Sequence, residues 1–210
     1  MYTCANCSIM ACASDDDTVR EKLPKNCPMR EKLKMQQSLE KYNEPENKEF
    51  YIKSSSIEGE GYCQWPRLRE TLELCKRMEY KKIGIAFCKG LCRESRIVSD
   101  LFRTHGFEVV SIICKTGGIP KEQIGIPKES KISESAYEVM CNPIAQAEFL
   151  NSQNTEFNIA IGLCVGHDSL FYKYSDAMVT TLIAKDRVLA HNPCGAVYCI
   201  DGYFKKKMEI

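Results

Sequence analysis

KKIGIAFCKGLCRESRIVSDLFRTHGFEVVSIIC, residues 81–114, contains two apolar runs separated by an amphipathic stretch. The runs Ile83 to Phe87 and Phe107 to Ile113 predict two buried strands, because each is short, continuous and rich in branched residues. Between them, Glu94 to His105 has apolar residues at helical spacing and predicts an amphipathic helix. A strand, a helix and a second strand in this order form a βαβ unit, whose two strands run parallel.

The flanking sequence continues this alternation of helix and strand. One helix is predicted after Trp65-Pro66 and another over Pro143 to Asn151, while Asn158 to Leu163 and Ala177 to Ala184 predict two further strands. Strands that are apolar on both faces and alternate with helices need to be covered on both sides. We therefore predict an α/β fold over residues 62–210, a three-layer Rossmann-like domain with a mainly parallel sheet.

The chain before this domain has a different composition. Residues 1–28 are polar and rich in cysteine, and they contain too few large apolar side chains to bury a core. Residues 29–61 are predicted to form a helical linker. Met29 to Tyr42 predicts a helix with a partly apolar face, and Asn43 to Gly61 is either a further helix followed by a loop or a linker throughout.

Composition and charge exclude several classes of function. The 210 residues carry 29 Lys and Arg against 28 Asp and Glu, which gives a net charge of +1. The chain therefore lacks the excess of basic residues that is typical of a nucleic-acid-binding protein. No stretch approaches the roughly 20 apolar residues of a membrane span, and the start has no signal-peptide pattern, so we expect a cytoplasmic protein. The 13 cysteines are then expected to be reduced, and clustered thiols in a reducing compartment are more often ligands or catalysts than disulfides.

Four cysteines near the N-terminus have the spacing of a metal site. Cys4 and Cys7 are separated by two residues, Cys12 follows, and Cys27 precedes a proline. Such a set can hold zinc tetrahedrally, and it can also hold an iron–sulfur cube. The alternative is a flexible tail of reduced thiols. We predict a metal-binding module with a structural role, because ligation supplies on the order of 10 kcal/mol that a segment without a core lacks.

A second group of cysteines is predicted at the carboxyl ends of strands. Cys88, Cys114 and Cys164 each follow a predicted strand directly, and Cys141 precedes a predicted helix. Ligands of open α/β sheets bind at this edge, so four sulfurs from separate segments predict an iron–sulfur cluster, most simply 4Fe–4S, or a metal ion. Cys92 is an alternative to Cys141 as a ligand. Each of these cysteines, taken singly, is more often a core residue than a ligand.

Polar residues beside these thiols extend the predicted site. His167 and Asp168 follow the third strand at the start of a predicted helix, where they are candidates for acid–base or anion-binding roles. Asp168 is equally well explained as the cap of a helix over Ser169 to Tyr174. Lys115, which follows a strand-end cysteine, is a candidate for holding an anionic ligand or lowering the pKa of the thiol.

The remaining cysteines have weaker claims to a role. Cys75 lies on the apolar face of its predicted helix and Cys199 in an apolar run, so both are predicted to be core residues. The roles of Cys63, Cys92 and Cys194 stay open.

Several sequence motifs are spread along nearly the whole chain. They are the opening Cys4 to Cys12 with Cys27-Pro28, GYCQWPR at 61–67, AFCKGL at 86–91, Cys114-Lys115, MCNPI at 140–144, GLCVGHD at 162–168 and His191-Asn192-Pro193. In these motifs the chain resembles a family of prokaryotic proteins, the domain of unknown function 1847, whose members are often labelled predicted metal-binding proteins. The resemblance implies metal binding without an established reaction, and it makes Cys63 part of a motif.

Three hypotheses of function follow. The first is a cytoplasmic metalloprotein whose crevice holds a cluster or metal ion for redox chemistry, with a redox protein or an anionic small molecule as partner. The second is a zinc-stabilised sensor or binding module without turnover. The third is a thiol enzyme in which Cys164 is the nucleophile and His167 its base.

Overall fold

The structure of the protein is a computed structural model that describes residues 1–132 and 137–209. The chain folds into two compact units, of which the first is Met1–Glu60 and the second begins at Gly61.

The first unit consists of short turns followed by two longer helices. Its 3-10 turns are Cys4–Asn6, Ala11–Ala13 and Pro28–Arg30, and its helices are α1 (Asp17–Arg20), α2 (Lys32–Tyr42) and α3 (Pro45–Gly61). Helix α2 begins three residues later than predicted because a 3-10 turn and the non-helical Glu31 precede it. The stretch whose helical character the sequence left open forms the long helix α3.

Little apolar surface is buried in the first unit. Its buried apolar residues are Ala11 and Ile57, whereas Leu33 and Leu39 of α2 are exposed. Hydrogen bonds order the turns instead: the Asn26 amide donates to the Thr3 hydroxyl at 2.6 Å, and Arg30 donates to the Pro24 and Leu23 carbonyls at 2.9 and 2.5 Å. Residues 1–28, in which Ala11 is the buried apolar residue, therefore have the shortage of core that their composition predicts.

The second unit is built on a four-stranded sheet. In chain order it contains α4 (Arg67–Arg77), β1 (Lys82–Phe87), α5 (Cys92–Thr104), β2 (Glu108–Ile113), α6 (Pro143–Ser152), β3 (Phe157–Ile161), α7 (His167–Tyr174), β4 (Met178–Ile183) and α8 (Cys194–Tyr198). The strands lie in the order β2-β1-β3-β4, and all three neighbouring pairs are parallel. The predicted α/β class and the Rossmann-like arrangement of helices around a parallel sheet are confirmed.

The central strands β1 and β3 are covered on both faces. Ala86 and Ala160 point to one face, where they pack in a cluster with Ala147 and Leu150 of α6 and Phe171 of α7. The alternate residues of both strands point to the opposite face, on the side of α4 and α5, and they are fully buried: Ile83, Ile85, Ile159 and Ile161. This burial on both faces explains the continuous apolar runs that predicted the strands.

One glycine is required where β1 packs against its neighbours. A Cβ atom at Gly84 would collide with the Asn158 side chain and lie 3.0 Å from Leu150. Asn158 is fully buried, accepts a hydrogen bond from Thr155 at 2.9 Å and donates one to Ser175 at 2.8 Å. A side chain at Gly84 would therefore displace a satisfied buried amide.

A long excursion connects β2 to α6. It contains 3-10 turns at Lys121–Ile124 and Lys128–Ser130, and an antiparallel bridge between Pro120 and Val139 brings its two ends together. Beyond β4, helix α8 and a 3-10 turn at Lys206–Met208 complete the described chain. None of the helices within residues 1–132 and 137–209 is both long and apolar enough to cross a membrane.

Candidate functional site

The candidate site lies at the carboxyl edge of the sheet, between β1 and β3. The strand order places β2 on one side of β1 and β3 on the other, so the connections leave this point in opposite directions, and α/β proteins bind ligands at such a point. Cys88 directly follows β1, and Cys114 directly follows β2. Cys164 lies three residues beyond the end of β3.

The excursion after β2 returns Cys141 to the same edge. The backbone N–H of Asn142 donates to the carbonyl of Cys114 at 2.7 Å, which joins the two segments directly. The Asn142 side chain then accepts from the N–H of Ala145 at 3.1 Å and caps α6. Cys141 therefore lies one residue before the capped, electropositive end of a helix.

One small cavity collects these side chains. It is lined by Cys88, Cys114, Cys141, Cys164, Gln146, Leu163 and His167, and it is too narrow to admit a water molecule. The four strand-end and loop cysteines predicted from the sequence thus line a single cavity with the predicted histidine.

Cys114 is the central thiol of this group. It lines the same cavity as Cys88 and Cys141, and its sulfur accepts the backbone N–H of Lys89 at 3.3 Å. The neighbouring Cys114 thiol lowers the pKa of Cys88 to about 5 and that of Cys141 to about 4, against the effect of burial. The pKa of Cys114 itself is raised, because the sulfurs of Cys141 and Cys88 favour its protonated form and because it is buried.

His167 is the charge partner of Cys141. The imidazole contacts the Cys141 sulfur, and this contact raises the pKa of His167 and contributes to lowering the pKa of Cys141. The electrostatic effect of Lys115 acts in the same direction on Cys141, although the Lys115 Nζ itself donates to the Val139 carbonyl at 2.5 Å. The sequence paired His167 with Cys164 instead, but the contact between these two residues is through the backbone, where the N–H of His167 donates to the Cys164 carbonyl at 2.9 Å.

Two cations from the segment after β4 face the other thiols. Arg187 donates to the Cys164 sulfur at 2.9 Å, and this contact raises the pKa of Arg187. Lys185 interacts with the Cys88 sulfur and contributes to lowering its pKa. Asp186 between them accepts the N–H groups of Val188 and Leu189, each at 2.8 Å, so the turn that presents the two cations is well fixed.

Gln146 is a buried polar residue that lines the cavity. It is 0 % exposed, and its amide nitrogen donates to the carbonyls of Ile112 at 2.7 Å and Phe87 at 3.2 Å. Both hydrogens of the Gln146 amide are donated in these two bonds. The opposite orientation of the amide would place its oxygen against two carbonyl oxygens, so the position of Oε1 is fixed. Oε1 has no partner, and neither does the buried Nδ1 of His167. No other buried side-chain nitrogen or oxygen in the described part of the chain lacks one.

Asp168 contributes less to this site than the predicted acid–base or anion-binding role requires. Helix α7 begins at His167 with Gly166 in the cap position, so the alternative that Asp168 caps a helix starting at Ser169 is wrong. Its carboxylate accepts the N–H of Ser169 at 2.8 Å, and its charge contributes to raising the pKa of His167.

The N-terminal cysteines are partly brought together. Cys4, Cys7 and Cys27 line one cavity of the first unit, together with Thr3 and Asn26. Cys12, the predicted fourth member of the set, is exposed and is not among the residues that line this cavity.

As the side chains stand, residues 1–132 and 137–209 contain no group of three or more Cys, His, Asp or Glu side chains arranged to hold a metal ion. A metal site at either position is therefore a proposal.

The other cysteines lie outside the crevice lining. Cys75 is fully buried, as predicted, and burial raises its pKa to about 12. Cys199 is exposed, so its prediction as a core residue is wrong. Cys63, Cys92 and Cys194 are exposed, and Cys92 begins α5 instead of lining the cavity with Cys88.

Three residues of the site were missed from the sequence. Gln146 could have been noticed as an isolated amide on the apolar helix α6, next to Ala147 and one turn before Leu150. Lys185 and Arg187 closely follow β4, and the strand-end rule that selected the cysteines applies equally to them.

The fold and the site define a doubly wound α/β protein with a crevice lined by thiols and cations at its topological switch point. The chain belongs to a family described as protein of unknown function (DUF1847), whose model matches residues 27–182. It is similar to the uncharacterized protein MJ0455 of Methanocaldococcus jannaschii, with 49 % identity over 174 residues that cover 83 % of this chain and 88 % of the relative. The predicted family membership is confirmed, and the three N-terminal cysteines before residue 27 lie outside the matched range.

Proposed function

We propose that the protein binds a metal, and that its crevice takes a single soft ion through the sulfurs of Cys88, Cys114 and Cys141 with His167. Thiolate and imidazole are the ligands that soft divalent ions such as Zn²⁺ prefer in proteins. Lowered pKa values at Cys88 and Cys141 favour the thiolate form that a metal requires. When bound, the ion would act as a Lewis acid or as a structural clamp.

The observation that carries this proposal is the pair of unpartnered polar atoms. The Oε1 of Gln146 and, in the neutral imidazole that a metal binds, the Nδ1 of His167 both offer lone pairs, and the two residues line the same cavity. A buried acceptor without a partner costs about 1–3 kcal/mol, and a missing ion is one of its standard explanations. An ion in this cavity would take the His167 nitrogen as a ligand and would place a positive charge in the cavity that the Gln146 oxygen faces.

A single ion suits the crevice better than an iron–sulfur cube does. Its three central thiols line one cavity that excludes even a water molecule. The ligands of one tetrahedral ion are close neighbours, because each metal–sulfur bond is only about 2.3 Å long. A cube holds its cysteines apart by its own width, so it would require the three segments to separate.

The thiols must still turn towards a common point to hold an ion. Each cysteine side chain has one rotatable bond with three staggered positions, so its sulfur can move without displacing the backbone. The backbone bond from Asn142 to the Cys114 carbonyl does not involve a sulfur, whereas rotation of Cys114 would release the 3.3 Å bond from the Lys89 N–H. Binding is therefore expected to need rotation of side chains only.

We propose a second ion with a structural role at the N-terminal module. Cys4, Cys7 and Cys27 share one cavity, and the unit around them has little buried apolar surface. Cys12 is the predicted fourth ligand. Ligation contributing on the order of 10 kcal/mol would offset the weak core of this unit.

Metal and acid-labile sulfide analysis of protein purified without air tests both sites. We expect two equivalents of a colourless ion and no sulfide in the unmodified chain. Cys141→Ser is expected to lose one equivalent, and Cys7→Ser is expected to lose the other. Cys92→Ser is the matched control, because it removes an exposed thiol outside both cavities. A brown protein with iron and sulfide in proportion would replace the single ion by a cluster. A protein that retains no ion, or equal losses in Cys141→Ser and Cys92→Ser, would overturn the crevice site.

A further inference from the structure

Cys114 shares its cavity with two other thiols, Cys88 and Cys141, whose backbones lie next to its own. Phe87 and Ile113 are the last register pair of β1 and β2, so Cys88 and Cys114 are the next residues along neighbouring strands. Neighbouring strands are about 4.8 Å apart, and disulfide-linked Cα atoms are roughly 4.4–6.8 Å apart. On its other side, Cys114 is joined to the segment of Cys141 by the 2.7 Å backbone bond from Asn142.

The two neighbours of Cys114 differ in backbone freedom. The N–H of Cys88 donates to the Ile161 carbonyl at 3.0 Å, which continues the sheet and fixes this residue against β3. Cys141 lies in the loop that ends the excursion, outside the sheet and one residue before the cap of α6. Formation of a sulfur–sulfur bond requires small backbone adjustments, and the loop residue can make them at lower cost.

We propose that the crevice carries out thiol–disulfide exchange, with a small disulfide as substrate, Cys141 as the attacking thiol and Cys114 as the resolving thiol. The Cys141 thiolate attacks one sulfur of the substrate, forms a mixed disulfide and releases the other half as a thiolate. The Cys114 sulfur then attacks the Cys141 sulfur and displaces the second half.

The atoms and electrons of this exchange balance. The substrate disulfide is reduced to two thiols, while Cys114 and Cys141 are oxidised to one disulfide. One product thiol leaves with the proton of Cys114, and the other takes its proton from the solvent. A thiol reductant reverses both steps and returns the crevice to its reduced form.

The cavity and the backbone contacts support the choice of Cys141 over Cys164. Cys141 shares the cavity with Cys114, and the residue after it is bonded to the Cys114 carbonyl. The sulfur of Cys164 accepts from Arg187 at 2.9 Å instead. The exchange is independent of the proposed ion, although the two would compete for the same sulfurs.

The test uses the full chain, freed of metal by a chelator and treated with one equivalent of oxidised glutathione. We expect an intact mass lower by two hydrogen atoms and a peptide map that joins Cys114 to Cys141. Cys114→Ser is expected to trap glutathione on Cys141, and Cys141→Ser to slow disulfide formation by about tenfold or more. Cys92→Ser is the matched control and is expected to behave like the unmodified chain.

The peptide map of the unmodified chain needs no variant, so a destabilised mutant does not obscure the result. A disulfide between Cys88 and Cys114, or glutathione confined to exposed cysteines such as Cys194, would overturn the assignment. Zinc-loaded protein provides a separate comparison. Protection by zinc supports the proposed metal site, whereas exchange at equal rates with and without zinc counts against that site and leaves the exchange intact.

Discussion

At the residue scale, the charge of the crevice depends on which of three neighbouring thiols keeps its proton. The presence of Cys114 lowers the pKa of Cys88 and that of Cys141, whereas the pKa of Cys114 itself is raised. The three thiols therefore titrate as a coupled group, with two sulfurs charged and the third protonated near neutral pH. Lys185 beside Cys88 and His167 beside Cys141 offset the resulting negative charge.

The first prediction concerns the pH dependence of alkylation in metal-free protein. The pKa of Cys88 is about 5 and that of Cys141 about 4, both below the ordinary value of 9.0, so in the folded chain both are thiolates throughout pH 6–8. Only the thiolate reacts with iodoacetamide, so their rates are expected to stay flat over this range. In urea the same cysteines regain ordinary values, and each rate is expected to rise about tenfold per pH unit.

Mass spectrometry of pulse-labelled peptides measures these rates one cysteine at a time. Cys75 is the internal control, because burial raises its pKa to about 12 and shields it, so it is expected to stay unlabelled in the folded chain. Equal pH slopes for Cys141 in folded and unfolded protein would contradict the lowered pKa of this thiol.

At the scale of elements, the position of the crevice depends on how closely α6 packs on the sheet. Helix α6 carries Gln146 to the carbonyl ends of β1 and β2, where its two donated bonds fix the floor of the site. The helix approaches β1 at Gly84, where Leu150 and Asn158 leave no room for a side chain.

Gly84→Ala is therefore expected to destabilise the second unit by about 1–3 kcal/mol, the usual cost of overpacking a core. Urea unfolding followed by circular dichroism measures the change. Gly59→Ala is the matched control, because no atom lies within 4 Å of the added methyl group and alanine favours the helix α3. Its unfolding midpoint should stay the same or rise slightly; equal losses in both variants would show that the packing at β1 is unimportant.

Element-scale rules also explain how much of the site the sequence could predict. Apolar runs located the strands, and the rule that parallel strands end at one edge selected Cys88, Cys114 and Cys164 as residues of one crevice. Cys141 was predicted from its place before a helix. These inferences need only local pattern and topology.

Those rules do not predict which side chains of different elements contact one another. Whether a strand-end cysteine faces a histidine or an arginine depends on side-chain direction, so the sequence paired Cys164 with His167, although Arg187 is its partner. The orientation of the Gln146 amide depends on carbonyls of two distant strands. Spacing alone likewise grouped Cys12 with cysteines whose cavity it does not line.

At the scale of the whole molecule, the chain combines units with different sources of stability. The second unit buries a large apolar core on both faces of its sheet, so we expect it to stay folded without a ligand. The first unit buries few apolar residues and holds its turns by exposed hydrogen bonds, which contribute little individually. Removal of a bound metal should therefore loosen the first unit and leave the second folded.

Limited trypsin digestion with and without a chelator tests this division, since Arg20, Lys22 and Lys25 are exposed in the N-terminal module. We expect chelation to speed cleavage after these residues by about tenfold or more, because exposed turns are cut in proportion to the population of their open form. The fragment beginning beyond Gly61 should persist in both samples.

Variants assign this effect to individual thiols. Cys7→Ser is expected to reproduce the effect of the chelator even with zinc present, and Cys63→Ser, an exposed thiol outside the module, to match the unmodified chain. Cys12→Ser is expected to have a smaller effect than Cys7→Ser, because Cys12 does not line the cavity that Cys4, Cys7 and Cys27 share. Cleavage at equal rates with and without the chelator would mean that the turns are held by their hydrogen bonds alone, and that no metal orders the module.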